Sequence, residues 1–292
     1  MKRIGAVLIL LALLLTGCAE TSGRETETAS EAEQGSLFTF TFLTIGKGDA
    51  FLLTAPDGSH YLVDTGKEED YPQIARALDA RGVKRLEGIF LSHGHKDHIG
   101  GLKDLLRHYP VDAVYISAED NVTYQMKKLK KMTENTELRF LSSGDVLDLG
   151  GVRADIWLPA EQHRKNENNN SMVMLLSWGE VRFLLMGDAE RKEEEELLSS
   201  GFPVSARVLK LGHHGEEDAT GEDFLRAVGP EIGIVTGNAE ENPESVNEVI
   251  SSRLSRNGVK VFYSESDGLG IDFITDGTDL WTETLYAEEL PE

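Results

Sequence analysis

The segment Ser92-His93-Gly94-His95-Lys96-Asp97-His98 constrains this chain more than any other. Three imidazoles and a carboxylate fall within six residues, directly after the apolar run Gly88-Ile89-Phe90-Leu91, where a buried strand should end. His93 and His95 are two apart, so on an extended segment leaving the strand they project to one side and can grip one ion. Asp97 and His98 are adjacent and serve together only if the chain is already turning there. The following Ile99-Gly100-Gly101-Leu102 reads as the start of a helix packed closely on its neighbour. One loop therefore offers two pairs of ligands aimed at two nearby points, which reads as a metal site rather than as solvated loop histidines.

The beginning of the chain sets an expectation of compartment. Met1-Lys2-Arg3 precedes an apolar segment from Ile4 to Leu15, shorter than the roughly 20 residues a spanning helix needs. A basic start, a short apolar stretch and small residues before Cys18 read as a secretory signal peptide over residues 1–17. Leu15-Thr16-Gly17-Cys18 resembles a bacterial lipobox, which implies cleavage before Cys18 and lipidation of its thiol. The expected location is the extracytoplasmic face of the cell membrane, held by the lipid alone. Cys18 is the only cysteine, so cysteine nucleophiles and thiolate metal sites are excluded and any metal is held by nitrogen and oxygen. Residues 18–36 are rich in Glu, Thr, Ser, Ala and Gly without apolar periodicity and read as a flexible tether. Residues 37–292 have the length of one large α/β domain. Loss of Lys2 and Arg3 with the leader leaves 27 basic against 51 acidic residues, a formal net charge of −24. Such a surface repels phosphate backbones at long range, which argues against a tightly held nucleic-acid ligand and leaves nucleic acid open as a substrate.

Periodicity orders the rest. Phe38, Phe40 and Phe42 alternate with Thr39 and Thr41 as in a half-buried strand. Gly46-Lys47-Gly48-Asp49 then turns the chain, either as a plain hairpin or as a functional loop. Tyr61-Leu62-Val63 ends on Asp64, a residue that serves either to cap a helix or to orient a ligand histidine. Helices are expected over 71–81, 99–108, 122–132, 190–197, 221–228 and 243–254, and strands over 86–91, 111–117, 137–141, 146–149, 152–157, 172–177, 181–186, 206–211, 232–236, 259–263, 269–275 and 280–286. His108, in a last helical turn, suits the helix dipole better than a metal, and His163 reads as an exposed loop histidine. A pattern repeats. A hairpin running into Asp64, a helix, and a strand ending in the His93 cluster are followed later by a hairpin running into Asp188, a helix, and a strand ending in Gly212-His213-His214-Gly215. Two similar half-domains facing each other would give this pattern, with both aiming their strand ends at one shared edge. βαβ-like alternation together with hairpins makes an α/β sandwich of two mixed sheets under outer helices.

The H-x-H-x-D-H loop, Asp188 and the His213-His214 pair resemble the metallo-β-lactamase superfamily, and among its members the hydrolase domain of ComEC-type competence DNA-uptake proteins. The resemblance runs from Leu37 to the end. It implies a four-layer αβ/βα sandwich that is an internal duplication, with two divalent ions, zinc foremost and manganese second, between the halves. It further implies His93, His95, Asp97, His98, Asp188 and one of the His213-His214 pair as ligands, Asp188 bridging, with His213 favoured on family position and His214 near the substrate. Asp64 and Ser171 would support the ligands from behind, and Asp97, Asp188, His214 and Asn170 would form the catalytic set. The family's usual third histidine of the first site is replaced by Asn168-Asn169-Asn170-Ser171, a loop shared with the ComEC-like branch. An amide carbonyl is a weaker zinc ligand than imidazole, so the first ion is expected to be the looser. Glu216 stands where that branch commonly has serine, and Asn242-Pro243-Glu244 where relatives often present His-Pro.

These readings converge on a lipid-anchored metallohydrolase acting on a small molecule or a phosphodiester. No Walker-type loop or dinucleotide fingerprint points to nucleotide-driven work or hydride transfer. The alternatives are a non-catalytic metal-binding or DNA-uptake-associated lipoprotein, and a lactam or thioester hydrolase.

Overall fold

Each of the two sheets changes from antiparallel to parallel pairing on the way across, and the metal-ligand candidates lie where the parallel strands end. The computed structural model describes residues 36–118, 129–160, 162–163, 165–240, 243–264 and 266–287. Cys18, the leader, all of the tether before Ser36 and most of the basic helix expected over 122–132 lie outside the described residues. Among the described residues no helix is long and apolar enough to cross a membrane.

In the first sheet β1 (Phe38–Leu43), β2 (Phe51–Thr54) and β3 (His60–Val63) form an antiparallel meander, and β4 (Gly88–Phe90), β5 (Ala113–Ser117) and β6 (Glu137–Leu141) continue it in parallel. The second sheet does the same. Here β7 (Val146–Leu149), β8 (Val152–Trp157), β9 (Val173–Trp178) and β10 (Val181–Leu185) are antiparallel, and β11 (Val208–Lys210), β12 (Ile232–Val235) and β13 (Lys260–Tyr263) are parallel. The last hairpin, β14 (Gly270–Thr275) and β15 (Leu280–Leu285), returns to the first sheet, where β14 pairs with β1 from Phe38↔Thr275 to Leu43↔Gly270.

That return changes the character of β1. With β14 on one side and β2 on the other it is a central strand, and Thr41 is fully buried instead of facing solvent. Its hydroxyl donates to Asp272 at 2.6 Å, and Asp272 also pairs with Arg81. A buried threonine beside a buried carboxylate satisfies the polar atoms that the expected half-buried strand would have left to water.

The sheets meet through an aromatic layer. Phe38 and Phe40 lie with ring centres 5.5 and 5.0 Å from Phe183 of the opposite sheet, and Met174, Leu185, Val208 and Ile234 complete the seam. The outer face of the first sheet is covered by α1 (Tyr71–Ala80), α2 (Lys96–Ile99) and α3 (Leu102–His108), whose Ile74, Leu78, Leu102 and Leu105 pack on Leu52, Leu62 and Ile89. On the second sheet α4 (Arg191–Ser200), α5 (Glu222–Val228) and α6 (Glu248–Arg256) do the same through Leu197, Phe224, Leu225 and Leu254. The architecture is the four-layer α/β sandwich.

Two expected helices are divided. The helix over 99–108 begins earlier and splits at Gly100-Gly101, where a β-carbon would come within 2.5 Å of the Glu68 nitrogen and 2.4 Å of the Thr65 oxygen. The helix over 243–254 is a 3-10 turn, Pro243–Val246, followed by α6, whose N-cap Asn247 accepts a hydrogen bond from the Val249 amide.

Candidate metal centre

The ends of β3, β4, β10, β11 and β12 open onto one edge of the sandwich, and each delivers polar side chains there. Asp64, just past β3, takes a left-handed backbone with φ 60°, a conformation aspartate tolerates better than most residues. Its carboxylate accepts from the Ser92 amide and hydroxyl, both at 2.7 Å, and meets His98 Nδ1 at 2.8 Å. The turn after β11 is tighter still. His213 and His214 both have positive φ, 43° and 53°, and Gly212 before them leaves no room for a β-carbon, which would sit 2.1 Å from the Ala189 oxygen. Two strained residues in succession cost on the order of 1–3 kcal/mol each. They turn the paired imidazoles to different surroundings.

Three rings converge on one carboxylate oxygen. Asp188 Oδ2 lies 3.6 Å from His93 Nε2, 3.2 Å from His98 Nε2 and 3.3 Å from His214 Nε2. Asp97 Oδ2 is 3.4 Å from His214 Nε2, and the more exposed His95 joins His93 and Asp188 in a group whose donor atoms all lie within 4.8 Å of one another. Each converging ring is held from behind through Nδ1: His93 by the Ser92 hydroxyl at 3.1 Å, His98 by Asp64, and His214 by the Thr236 hydroxyl at 2.9 Å. Among the described residues the three buried Nε2 atoms find no hydrogen-bond partner, and neither does Asp188 Oδ1. Buried polar atoms are seldom left unpaired. A set of nitrogen and oxygen donors fixed on one side and unpartnered on the other fits divalent cations shared through Asp188.

Lys210 and Asp49 lie beneath. The Lys210 ammonium, with none of its surface exposed, donates to the Gly187 carbonyl at 2.6 Å, pairs with Asp49 at 2.5 Å and lies 3.7 Å from Asp188 Oδ1. Asp49 also faces His214 Nδ1 at 3.5 Å and His98 Nδ1 at 3.8 Å. Burial pushes the His93 imidazole well below its ordinary range. It acts the same way on His98 and His214, but there the carboxylates win: Asp188, Asp49 and Asp64 hold His98 well above its ordinary value, and Asp188 with Asp49 and Asp97 raises His214 to about 10. In return, burial raises the Asp188 carboxyl, but His214 and His98 outweigh that and hold it well below. The pocket draws positive charge, which metal ions and protons compete to supply.

The structure thus brings together His93, His95, Asp97, His98 and Asp188, and seats Asp64 behind His98. The His213-His214 pair is arranged the opposite way from the expectation. His214 is the inward residue, and His213 turns to Asp218 at 2.8 Å. Asn170 does not face the cluster either: its amide brackets His163 in its own loop, accepting from the His163 amide at 2.7 Å. Ser171 lies behind Asp188, accepting from its backbone amide at 2.9 Å. Asn169 Oδ1 accepts from the amides of Glu190 and Glu193 at the start of α4. Sequence reasoning passed over Asp49 and Lys210 as site residues. The available signal was a lysine inside the apolar run Val208-Leu209-Lys210-Leu211, since an ammonium placed there needs a buried partner.

A family model described as "Metallo-beta-lactamase superfamily" matches residues 43–236. Among curated proteins, ComE operon protein 3 of Bacillus subtilis is 26% identical over 249 residues, covering 77% of this chain and 32% of that protein. Competence protein ComA of Neisseria gonorrhoeae is 28% identical over 211 residues, covering 72% of this chain and 28% of that one. The chain therefore spans about a third of the length of these relatives. Among solved structures, the metallo-beta-lactamase fold protein YhfI from Bacillus subtilis is similar with a TM-score of 0.58 at 14% identity, covering 82% of this chain and 100% of that chain.

Proposed function

Because the chain belongs to the metallo-beta-lactamase superfamily, we propose that it is a metal-dependent hydrolase whose edge cluster holds two divalent ions, zinc or manganese, and that it cleaves phosphodiester bonds. One observation carries the proposal: three buried imidazole Nε2 atoms without hydrogen bonds surround a single oxygen of Asp188. His93 and His95 would hold one ion, Asp97, His98 and His214 the other, with Asp188 shared. When bound, such a pair supplies Lewis acidity for activating water and for polarising the group under attack. Asp64, Ser92 and Thr236 fix the ring orientations, and Lys210 balances Asp49 behind them. No thiol or serine nucleophile enters. The resemblance to the hydrolase domain of ComEC-type DNA-uptake proteins favours the phosphodiester, and an asparagine loop in place of a third histidine disfavours lactam or thioester cleavage. The Leu15-Thr16-Gly17-Cys18 sequence supports attachment through lipid at the extracytoplasmic face of the cell membrane.

The purified full-length chain loaded with zinc or manganese is expected to hydrolyse bis-p-nitrophenyl phosphate, and Asp97→Ala and Asp188→Ala are each expected to fall to background. Undiminished turnover in either variant would sink the assignment.

A further inference from the structure

Beside the cluster lies an ion pair that the dinuclear reading does not use. Lys47, on the turn after β1, meets Glu216, on the turn after β11, with Nζ 2.9 Å from Oε1, so the pair joins the two halves of the sandwich at the ligand edge. Neighbouring backbone fixes both ends. The Gly48 amide donates to the carbonyl of Thr236 at 3.3 Å, and the Thr236 hydroxyl is the group that holds His214. The Asp49 amide donates to the carbonyl of Asp97 at 3.1 Å. Lys47 thus rides on a turn stitched to two residues of the cluster. Glu216 follows His214 by two residues, its amide donates to the His213 carbonyl at 2.9 Å, and its Oε2 lies 3.7 Å from His213 Nδ1.

The lysine is underused where it stands. An ammonium carries three donors and no acceptor. Only 18% of the Lys47 side chain is exposed, and among the described residues Glu216 is the one acceptor within its hydrogen-bond reach. Lys210 shows the contrast. Fully buried, it donates to both Asp49 and the Gly187 carbonyl and has Asp188 beyond them, so its charge is spent inside the protein. Lys47 keeps two N–H groups for a ligand. A phosphodiester spreads one negative charge over two non-bridging oxygens, an acceptor that an ammonium satisfies with short, charge-assisted bonds.

We propose that Lys47, braced by Glu216, is the specificity-determining residue of this site: its ammonium takes a non-bridging oxygen of an anionic substrate lying on the ligand edge, and so selects phosphodiesters over neutral esters. The reaction rests on the hydrolase reading above; the anion-binding role of Lys47 does not need turnover to be read.

The test is binding of inorganic phosphate to the full-length chain, loaded with zinc and freed of excess metal, by isothermal titration calorimetry, beside turnover of bis-p-nitrophenyl phosphate. Lys47→Met is expected to weaken phosphate roughly 10-fold, and to raise KM for the diester by a similar factor with kcat little changed. Lys47→Arg, which keeps the charge, is expected to stay within about threefold of the wild type in both. A role confined to bracing the fold would lower the urea midpoint of Lys47→Met and leave phosphate affinity and KM unmoved, and that result overturns the proposal. So does a wild type that binds no phosphate. The same contrast in phosphate affinity in a chain without turnover would remove the hydrolase reading and uphold the anion-binding role, so the two failures are told apart.

Discussion

Lys210 is tied to its neighbours. A fully buried ammonium persists because Asp49 and the Gly187 carbonyl replace the water it has lost. Lys210→Met leaves Asp49 buried without that partner and is expected to destabilise the fold by about 3–5 kcal/mol in urea unfolding. Asp64→Asn weakens the hold on His98 Nδ1, and metal affinity measured by chelator competition should fall roughly 10- to 100-fold. At this scale legibility was uneven. His93, His95, Asp97 and His98 stood out because chemistry and spacing agree in one short loop. The choice between His213 and His214 was hidden, since two left-handed backbone angles decide it and no side-chain pattern encodes them. Asp49 was hidden in a turn that reads equally well as a plain hairpin.

The elements repeat in the order their sequence pattern announced: hairpin, carboxylate at a strand end, helix, strand, histidines. The second helix of that pattern, α4, buries two carboxyl groups in its first turn, Glu193 and Glu194. Glu194 accepts from the Gly221 amide at 2.9 Å and from the Thr220 amide, yet burial outweighs these bonds and lifts its carboxyl from the ordinary 4.5 to about 7. A folded value above the unfolded one favours the folded state while the group is protonated. That contribution is complete below pH 4.5 and is lost as pH rises through about 7. The urea midpoint of the wild type should therefore decline across this window relative to that of Glu194→Gln. Parallel pH profiles for the two proteins would refute it. The Ile99–His108 helix shows what periodicity misses, because its division at Gly100-Gly101 is set by backbone from a distant loop.

For the molecule as a whole, the cluster is a cross-link between sheets. His93 and His98 follow a strand of the first sheet, while Asp188 and His214 follow strands of the second, so bound ions would tie the halves together. An ion held at about a thousandfold above its dissociation constant adds about 4 kcal/mol of stability. For a domain of this size, chelation of one such ion is expected to lower Tm by on the order of 10 °C in calorimetry, and re-addition should restore it. Fold class was the most legible property, since alternating elements and a twofold pattern leave few other ways to cover both sheets. What periodicity could not show was the return of β14 to β1, a pairing between residues more than two hundred positions apart.

The direction of β1 has a consequence for access. It runs from Phe38 toward the turn that carries Asp49, so the strand starts at the rim of the sandwich farthest from the ligands. Bound ions would therefore sit at the opposite edge from Phe38, and the first residues of the strand leave the approach to them clear.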